Sequence, residues 1–282
     1  MHAPCAAVRN TLMKHKKYAC SLQHEQYLKK IRRNKLIVHA VRAAILLGLV
    51  GLWELCAQVG VFDPFITSSP SRVASTIADL AAAGTLFYHI GITLMETVAG
   101  FFIAVVLGYA IAVALWLNEH IRAVFEPYIV VLNALPKIAL GPLIIIWMGT
   151  GYTAIIFMTV LVSIIVCIMN VLAGFVAVDK TKQLLLRSMG ANKFAMLVKL
   201  VMPASLPAFM NTLKVAVGLA WIGSIMGEYI VSRAGLGYLI VYGGQVFKLD
   251  LVMAATFILC LLAGGMYAIV AIVEKIVIKR RG

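Results

Sequence analysis

The sequence predicts an all-α membrane protein with six transmembrane helices. Of its 282 residues, 62% are hydrophobic and only 13% charged, and the mean hydropathy is +0.98. A soluble domain carries about twice that share of charge. Six apolar runs follow one another along the chain, each reaching the twenty or so residues that cross roughly 30 Å of hydrocarbon. The charge is also placed by side. The chain has 25 Lys+Arg against 11 Asp+Glu, and most of the basic residues lie near the N-terminus, at the C-terminus and in one internal stretch, residues 181–203. With six crossings those three regions share a side, as a positive-inside bias demands. The links on the other side offer only Arg72, Arg233 and Lys248. A surplus distributed this way argues against a nucleic-acid partner and for a membrane with both termini in the cytoplasm.

Residues 1–36 form a basic cytoplasmic tail containing Lys14, Lys16, Lys17, Lys29, Lys30, Arg32, Arg33 and Lys35, read as disordered or resting on anionic lipid. The apolar run that follows is too long for a signal-peptide core and lacks an A-x-A exit. It is therefore expected to stay as the first membrane helix, residues 37–61. Residues 62–88 form an external segment. Pro64 and the Ser68-Ser69-Pro70 cluster break the helix, and Ser69 can cap a new one with Pro70 at its first position. Val73, Ile77, Leu80 and Ala81 then share one face, which predicts a short amphipathic helix on the outer surface.

Residues 89–275 form the core. The second span covers about 89–117 and the third about 123–148. Pro136, Gly141 and Pro142 interrupt the third, so it is expected to be broken, a shape tolerated in a membrane only where protein or a water-filled path satisfies the freed backbone. The fourth span is 152–178, after a tight turn at 149–151. The fifth is about 206–231, the sixth about 251–272, and residues 276–282 form a basic cytoplasmic tail.

Residues 181–203 are the one polar-to-amphipathic segment between long apolar blocks. Gly190 follows a run of good helix formers and suits a left-handed helix end. A second helix is expected from 191 to 201, stopped by Pro203, which cannot continue the hydrogen-bond ladder. Phe194, Leu197, Val198 and Val201 share one face. Such a ridge fits a groove on a partner, or equally lies on the inner leaflet.

Ionisable residues inside spans are expensive and are candidates for a translocation path. They are Lys137, beside Pro136 in the broken span, with Lys214, Glu228 and Glu96. Pairing within the bundle is the other reading, above all for Glu96 and Glu228. Lys214 and Glu228 lie about 21 Å apart along one helix and cannot pair there. Gly223-x-x-x-Gly227 permits close helix approach, within the subunit or at a dimer seam. Cys5, Cys20, Cys56, Cys167 and Cys260 form no CxxC pair and read as small hydrophobes or free thiols. The histidines (His2, His15, His24, His39, His89 and His120) lie at termini or span ends, which argues against a membrane enzyme. No GxxxxGK phosphate loop is present, and no internal repeat points to a secondary transporter.

The pattern Leu184-Leu185-Leu186, three residues, Gly190, nine residues, then Leu200-Val201-Met202-Pro203 resembles the cytoplasmic E-A-A-x3-G-x9-I-x-L-P loop of the inner-membrane subunits of ATP-binding-cassette importers. Leu184 stands where Glu is usual. Leu94 to Phe101, Glu126-Pro127, Leu135-Pro136, Pro142-Leu143, Trp147 with Gly149, Gly227-Glu228 and Gly235-Leu236-Gly237 extend the resemblance over about residues 40–275, and are similar to the binding-protein-dependent permeases of the nitrate/sulfonate/taurine type. The resemblance implies a type I importer permease fold with a cytoplasmic coupling helix between helices 4 and 5. It implies two ATPase subunits, a second permease copy, most simply a homodimer, and an extracytoplasmic binding protein. The chain itself then catalyses nothing and binds no cofactor. Leu184, Arg187, Gly190, Ala191, Phe194, Leu197, Val198 and Pro203 become the ATPase-coupling candidates. The implied substrate is a small anion or small organic molecule, or alternatively a thiamine precursor or riboflavin-like vitamin. Glu96 stands where many relatives are expected to carry a basic residue, which weighs against an oxyanion.

Overall fold

The computed structural model describes residues 22–60, 67–231 and 233–279. Readings that fall on Lys14, Lys16, Lys17, Cys5, Cys20, Pro64, Arg280 and Arg281 lie outside the described residues. The chain divides into two compact units, residues 1–70 and 71–282.

In the first unit, α1 runs from Leu22 to Val59, and Ala40–Val59 is its membrane-crossing part. The helix thus begins inside the stretch expected to be a tail. No glycine or proline occurs between residues 22 and 47, so nothing in the basic stretch stops a helix nucleated in the apolar run from extending backward.

Helix α2, Pro70–Ala82, starts at the boundary and lies otherwise in the second unit. Its apolar face is the one the spacing predicts. Val73 is buried, and Ile77, Leu80 and Ala81 pack against a cluster that includes Leu86, Trp221, Leu236 and Leu251. Arg72 forms a 2.7 Å ion pair with Asp250. A left-handed turn at Gly84 leads into α3, Thr85–Leu117. Asn118 then caps α4, Glu119–Ala134, by accepting from the His120 and Ile121 N–H groups. The break expected in the third span is present. After Leu135 and Pro136 a 3-10 turn, Lys137–Leu140, leads into α5, Gly141–Met148, and the two halves meet at 85°. Pro142 sits in the first turn of α5, where its missing N–H has no partner to lose.

Beyond the turn at 149–151 come α6 (Tyr152–Val176), α7 (Lys180–Ser188), α8 (Lys193–Met196), a π turn (Leu197–Val201), α9 (Met202–Val231), α10 (Leu236–Gln245) and α11 (Leu249–Lys279). Among the described residues there is no strand. Among the described residues, five helical stretches are long and apolar enough to cross a membrane, or six with the bent pair counted as one span. Large apolar side chains such as Phe102, Val106, Ile146, Leu261 and Ile269 stay exposed on the protein, as expected where hydrocarbon is the solvent.

Helix α6 is the centre of this unit, held between α3 and α9. Thr159 is fully buried, and Gly100 of α3 and Gly223 of α9 both close on it. A Cβ on Gly223 would stand 2.6 Å from the Thr159 Cα, and one on Gly227 would stand 3.1 Å from the Ile155 Cα. The Gly223-x-x-x-Gly227 motif therefore packs within the subunit. Because the opposing atom at Gly223 is backbone, Gly223→Ala is expected to separate α6 from α9. The expected loss is about 1–3 kcal/mol of stability, read as a lower thermal unfolding temperature of the solubilised protein. An unchanged temperature would overturn this account of the seam.

Candidate coupling surface and path residues

The segment from α7 to the start of α9 is built from defined helix ends. Asp179 caps α7, its side chain accepting from the Thr181 N–H at 2.8 Å. Backbone donation from Thr181 holds the Asp179 carboxyl below the usual carboxylate range. At the other end the Gly190 N–H donates to the Arg187 carbonyl and the Ala191 N–H to the Leu186 carbonyl, both at 3.0 Å. Those two bonds define a Schellman C-cap, and Gly190 takes the left-handed conformation it requires, φ 83°. Asn192 then caps α8 by accepting from the Ala195 N–H at 2.7 Å. Lys193 Nζ reaches the Leu117 carbonyl at 3.4 Å, at the negative end of α3.

Two expectations about this segment change. Pro203 does not stop the helix: α9 begins at Met202 and runs through it, and residues 193–231 form one continuous helical stretch. The widened π turn immediately before it is the physical reason. An i→i+5 pattern shifts the ladder past the position where proline offers no N–H and crowds a carbonyl. The apolar ridge also splits. Leu197 and Val201 are fully buried against Leu115, Ile168, Val171, Leu172 and Phe175, in the C-terminal parts of α3 and α6. Phe194 remains 64% exposed and Val198 45%. The exposed apolar side chains of this segment are therefore Leu184, Leu185, Met189, Phe194 and Val198, with Arg187 exposed and Ala191 half-buried. Leu197 anchors this surface from beneath.

The path candidates separate into three places. Pro136 precedes the 3-10 turn in the broken span. Half-buried Lys137 donates from Nζ to the Asn133 carbonyl at 3.1 Å, satisfying a group left open at the end of α4. Lys214 forms a 2.7 Å ion pair with Glu274 of α11, so its ammonium is already engaged. Only Glu96 and Glu228 are brought together. Both are buried, and their carboxyls lie within interaction range of one another.

Around this pair the start of α10 is held by three side chains from two other helices. The Gly235 N–H donates to His89 Nδ1 at 3.0 Å, the Leu236 N–H to Thr93 Oγ1 at 2.8 Å, and the Gly237 N–H to Glu228 Oε2. These are donors that a helix N-terminus leaves open, and Glu228 brings a carboxyl oxygen to one of them. A Cβ on Gly235 would overlap the Glu228 carboxylate, and one on Gly237 would lie 2.8 Å from Glu228 Oε2. The Gly-Leu-Gly motif is the space in which Glu228 reaches the backbone. Thr97 Oγ1 meets Ser224 Oγ at 2.7 Å just below. The partner of the Glu96 carboxyl is the Glu228 carboxyl, with which it forms a side-chain hydrogen bond; no other group bonds either Glu96 oxygen. A cavity of about 300 Å³ is bordered by Glu96, Tyr88, Thr150, Tyr152 and Arg233, but the Glu96 carboxyl oxygens themselves are fully buried. His89, Thr93 and Glu274 were not singled out from the sequence as site residues. The spacing of His89, Thr93 and Glu96, i, i+4 and i+7 on one α3 face, was the available signal for the first two.

Residues 104–281 match the family described as binding-protein-dependent transport system inner membrane component. The chain belongs to this family of ABC importer permease subunits, and it is a multi-pass membrane protein. Among individual relatives, it is 31% identical to a probable ABC transporter permease protein of Haemophilus influenzae, over 75% of this chain and 85% of that one. It is 29% identical to the formylaminopyrimidine transport permease protein ThiX of Halalkalibacterium halodurans, over 83% and 92%. The taurine transport system permease protein TauC of Escherichia coli is 26% identical, over 76% and 80%. The fold is similar to a chain of the inward-facing MetNI methionine ABC transporter, with a TM-score of 0.62 and 18% identity over 70% of this chain and 98% of that one.

Proposed function

We propose that the chain is the non-catalytic membrane subunit of an ATP-driven importer for a small organic molecule or small anion, working as a homodimer with both termini in the cytoplasm. Two separate ATPase subunits grip the segment from α7 to α8, and an extracytoplasmic binding protein delivers substrate at the opposite face. The observation that carries this reading is the exposure of Leu184, Leu185, Met189, Phe194 and Val198 on a capped helix–turn–helix whose underside is locked into the bundle by Leu197 and Val201. A rigid base with an apolar crest can transmit a partner's movement; a loosely tethered loop cannot. With Leu184 in place of the usual Glu, docking depends on this crest and on the basic side chains beside it.

The substrate is read as nitrate-, sulfonate- or taurine-like at the broadest. A second reading, a heterocyclic vitamin or vitamin precursor, is favoured by the buried Glu96 carboxyl. Relatives named for formylaminopyrimidine and riboflavin transport are compatible with it. Phe194→Asp places a charge on the crest. It is expected to abolish co-purification of an ATPase from native membranes while leaving the chain in the membrane fraction. An ATPase retained at the wild-type level would overturn the docking reading.

A further inference from the structure

Basic side chains gather where two membrane helices end. The spans α3 and α6 stop at Leu117 and Val176, and beside these ends lies a polar cavity of about 330 Å³. Arg122 of α4, Lys180 and Arg187 of α7 and Lys193 of α8 line it, against one acid, Glu119. Lys193 is engaged by the Leu117 carbonyl. Arg122, Lys180 and Arg187 form no ion pair among the described residues. A cleft lined by one sign of charge concentrates the opposite ion. Trp116 stands half-buried in the same wall, a side chain suited to the level where hydrocarbon meets water.

A second cavity, of about 480 Å³, lies between α4 and α6 and shares Arg122 and Val176 with the first. Apart from Arg122 and Glu126 its lining is apolar, and includes Ile129, Ile168, Leu172 and Ala173. No residue of α4 is buried, so the packing of the chain leaves this slot open. A cationic pocket thus runs into an apolar slot at the edge of the hydrocarbon. We propose that the joined cavities hold one anionic phospholipid, its phosphate among Arg122, Lys180 and Arg187 and an acyl chain in the slot between α4 and α6. Basic pockets between membrane helices take anionic head groups in this way. The excess of cations over acids disfavours a head group that carries its own ammonium. Free phosphate would satisfy the cationic end and leave the apolar slot empty. The lipid braces α4, which buries nothing of its own, against α6 and α7, and it does so whatever the chain transports.

The test is native mass spectrometry of the complete transporter, purified from native membranes in detergent. The probes are dioleoylphosphatidylglycerol, dioleoylphosphatidylcholine, glycerophosphoglycerol and inorganic phosphate. The phosphatidylglycerol should bind in preference to the phosphatidylcholine. The two soluble probes, which lack acyl chains, should bind more weakly than it by about tenfold or more. Arg122→Gln/Lys180→Gln should weaken the lipid by about tenfold or more, the scale of two lost cation–phosphate contacts. Arg122→Lys/Lys180→Arg, which keeps both charges, should retain it. Lys182→Gln/Lys199→Gln removes the same charge from exposed positions outside both cavities and should leave binding as it was. Equal loss in the two glutamine pairs would mean diffuse attraction to a basic surface and would overturn the site. Ala173→Phe, at an exposed position in the slot, should weaken the lipid without changing the mass of the assembly. Thermal unfolding of each variant separates lost binding from lost folding. Equal binding of phosphatidylcholine, or of either soluble probe, would overturn the proposal. So would an Arg122→Gln/Lys180→Gln variant that keeps its lipid and loses the ATPase, which would give the pocket to that partner. An Ala173→Phe variant that keeps its lipid and loses a subunit would overturn it too, by giving the slot to a second copy. An ATPase absent from the wild-type complex would sink the importer reading and leave the lipid result standing.

Discussion

Replacing Gly190 with valine is expected to abolish substrate uptake while leaving the chain in the membrane and its ATPase partner expressed. A Cβ at this position would meet nothing within 4 Å, so the substitution acts through the backbone alone. Gly190 sits at φ 83°, a left-handed conformation that costs an L-residue about 1–2 kcal/mol and is an outlier for a β-branched side chain. Relief of that strain would break the bonds from Gly190 to Arg187 and from Ala191 to Leu186, which fix the angle between α7 and α8. Leu184 and Leu185 would then no longer be held in register with Phe194. Gly190→Asn provides the discriminating control, because asparagine tolerates the left-handed region. It should retain most of the uptake that valine removes. Equal loss in both variants would mean that side-chain volume, and not backbone conformation, matters at this position, and would overturn the account. Uptake unchanged by valine would remove α7 and α8 from the coupling role.

The contrast between Gly190 and Pro203 shows what was legible in the sequence. Both stand at positions the importer-loop pattern marks. The glycine's role follows from local stereochemistry, which a sequence carries directly: a residue free of Cβ after a run of helix formers. Proline's usual role as a stop was overridden by the π turn at Leu197–Val201, whose cause is tertiary. Leu197 and Val201 are drawn into the core between the C-terminal parts of α3 and α6, and the helix widens to keep them there. The same burial removes two members of the ridge that helical spacing places on one face. Spacing says which side chains share a face, but not whether the chain's own core claims them first.

The six apolar stretches, the break at Pro136 and the α2 face were readable because each is a one-dimensional signal: apolar length, a proline pair, a helical period. The site was less readable. Glu96 and Glu228 stand on helices far apart in sequence, and the elements between them decide that their carboxyls meet. Lys214 looked free for a path because its partner, Glu274 of α11, lies near the far end of the chain. Gly235 and Gly237 read as fragments of a pattern until the structure placed Glu228 against them.

That last arrangement carries the second large effect. Gly235→Ala is expected to unseat α10 and to cost more stability than Gly237→Ala, although the two glycines flank the same residue. Gly235 has φ 117° and ψ 170°, a region essentially closed to residues with a Cβ, at about 1–3 kcal/mol. Its Cβ would also overlap the Glu228 carboxylate. Gly237 lies in the first turn of α10 with no such backbone demand, and its Cβ would crowd Glu228 Oε2 at 2.8 Å and Cβ at 2.9 Å. Gly237→Ala therefore suffers overpacking alone, about 1–3 kcal/mol, and Gly235→Ala suffers both. Either change pushes the Glu228 carboxyl off the α10 N-terminus, so the Gly237 N–H loses its acceptor while Glu96 remains beside Glu228. Loss of the Gly235 and Leu236 bonds to His89 and Thr93 would follow from any tilt of α10. Thermal unfolding of the two variants, with uptake measured alongside, orders them. If Gly237→Ala proves the more damaging, the positive φ of Gly235 carries no strain and the anchoring of α10 is a matter of carboxylate space only. If neither variant shifts unfolding, the side-chain bonds to the α10 N-terminus do not hold it.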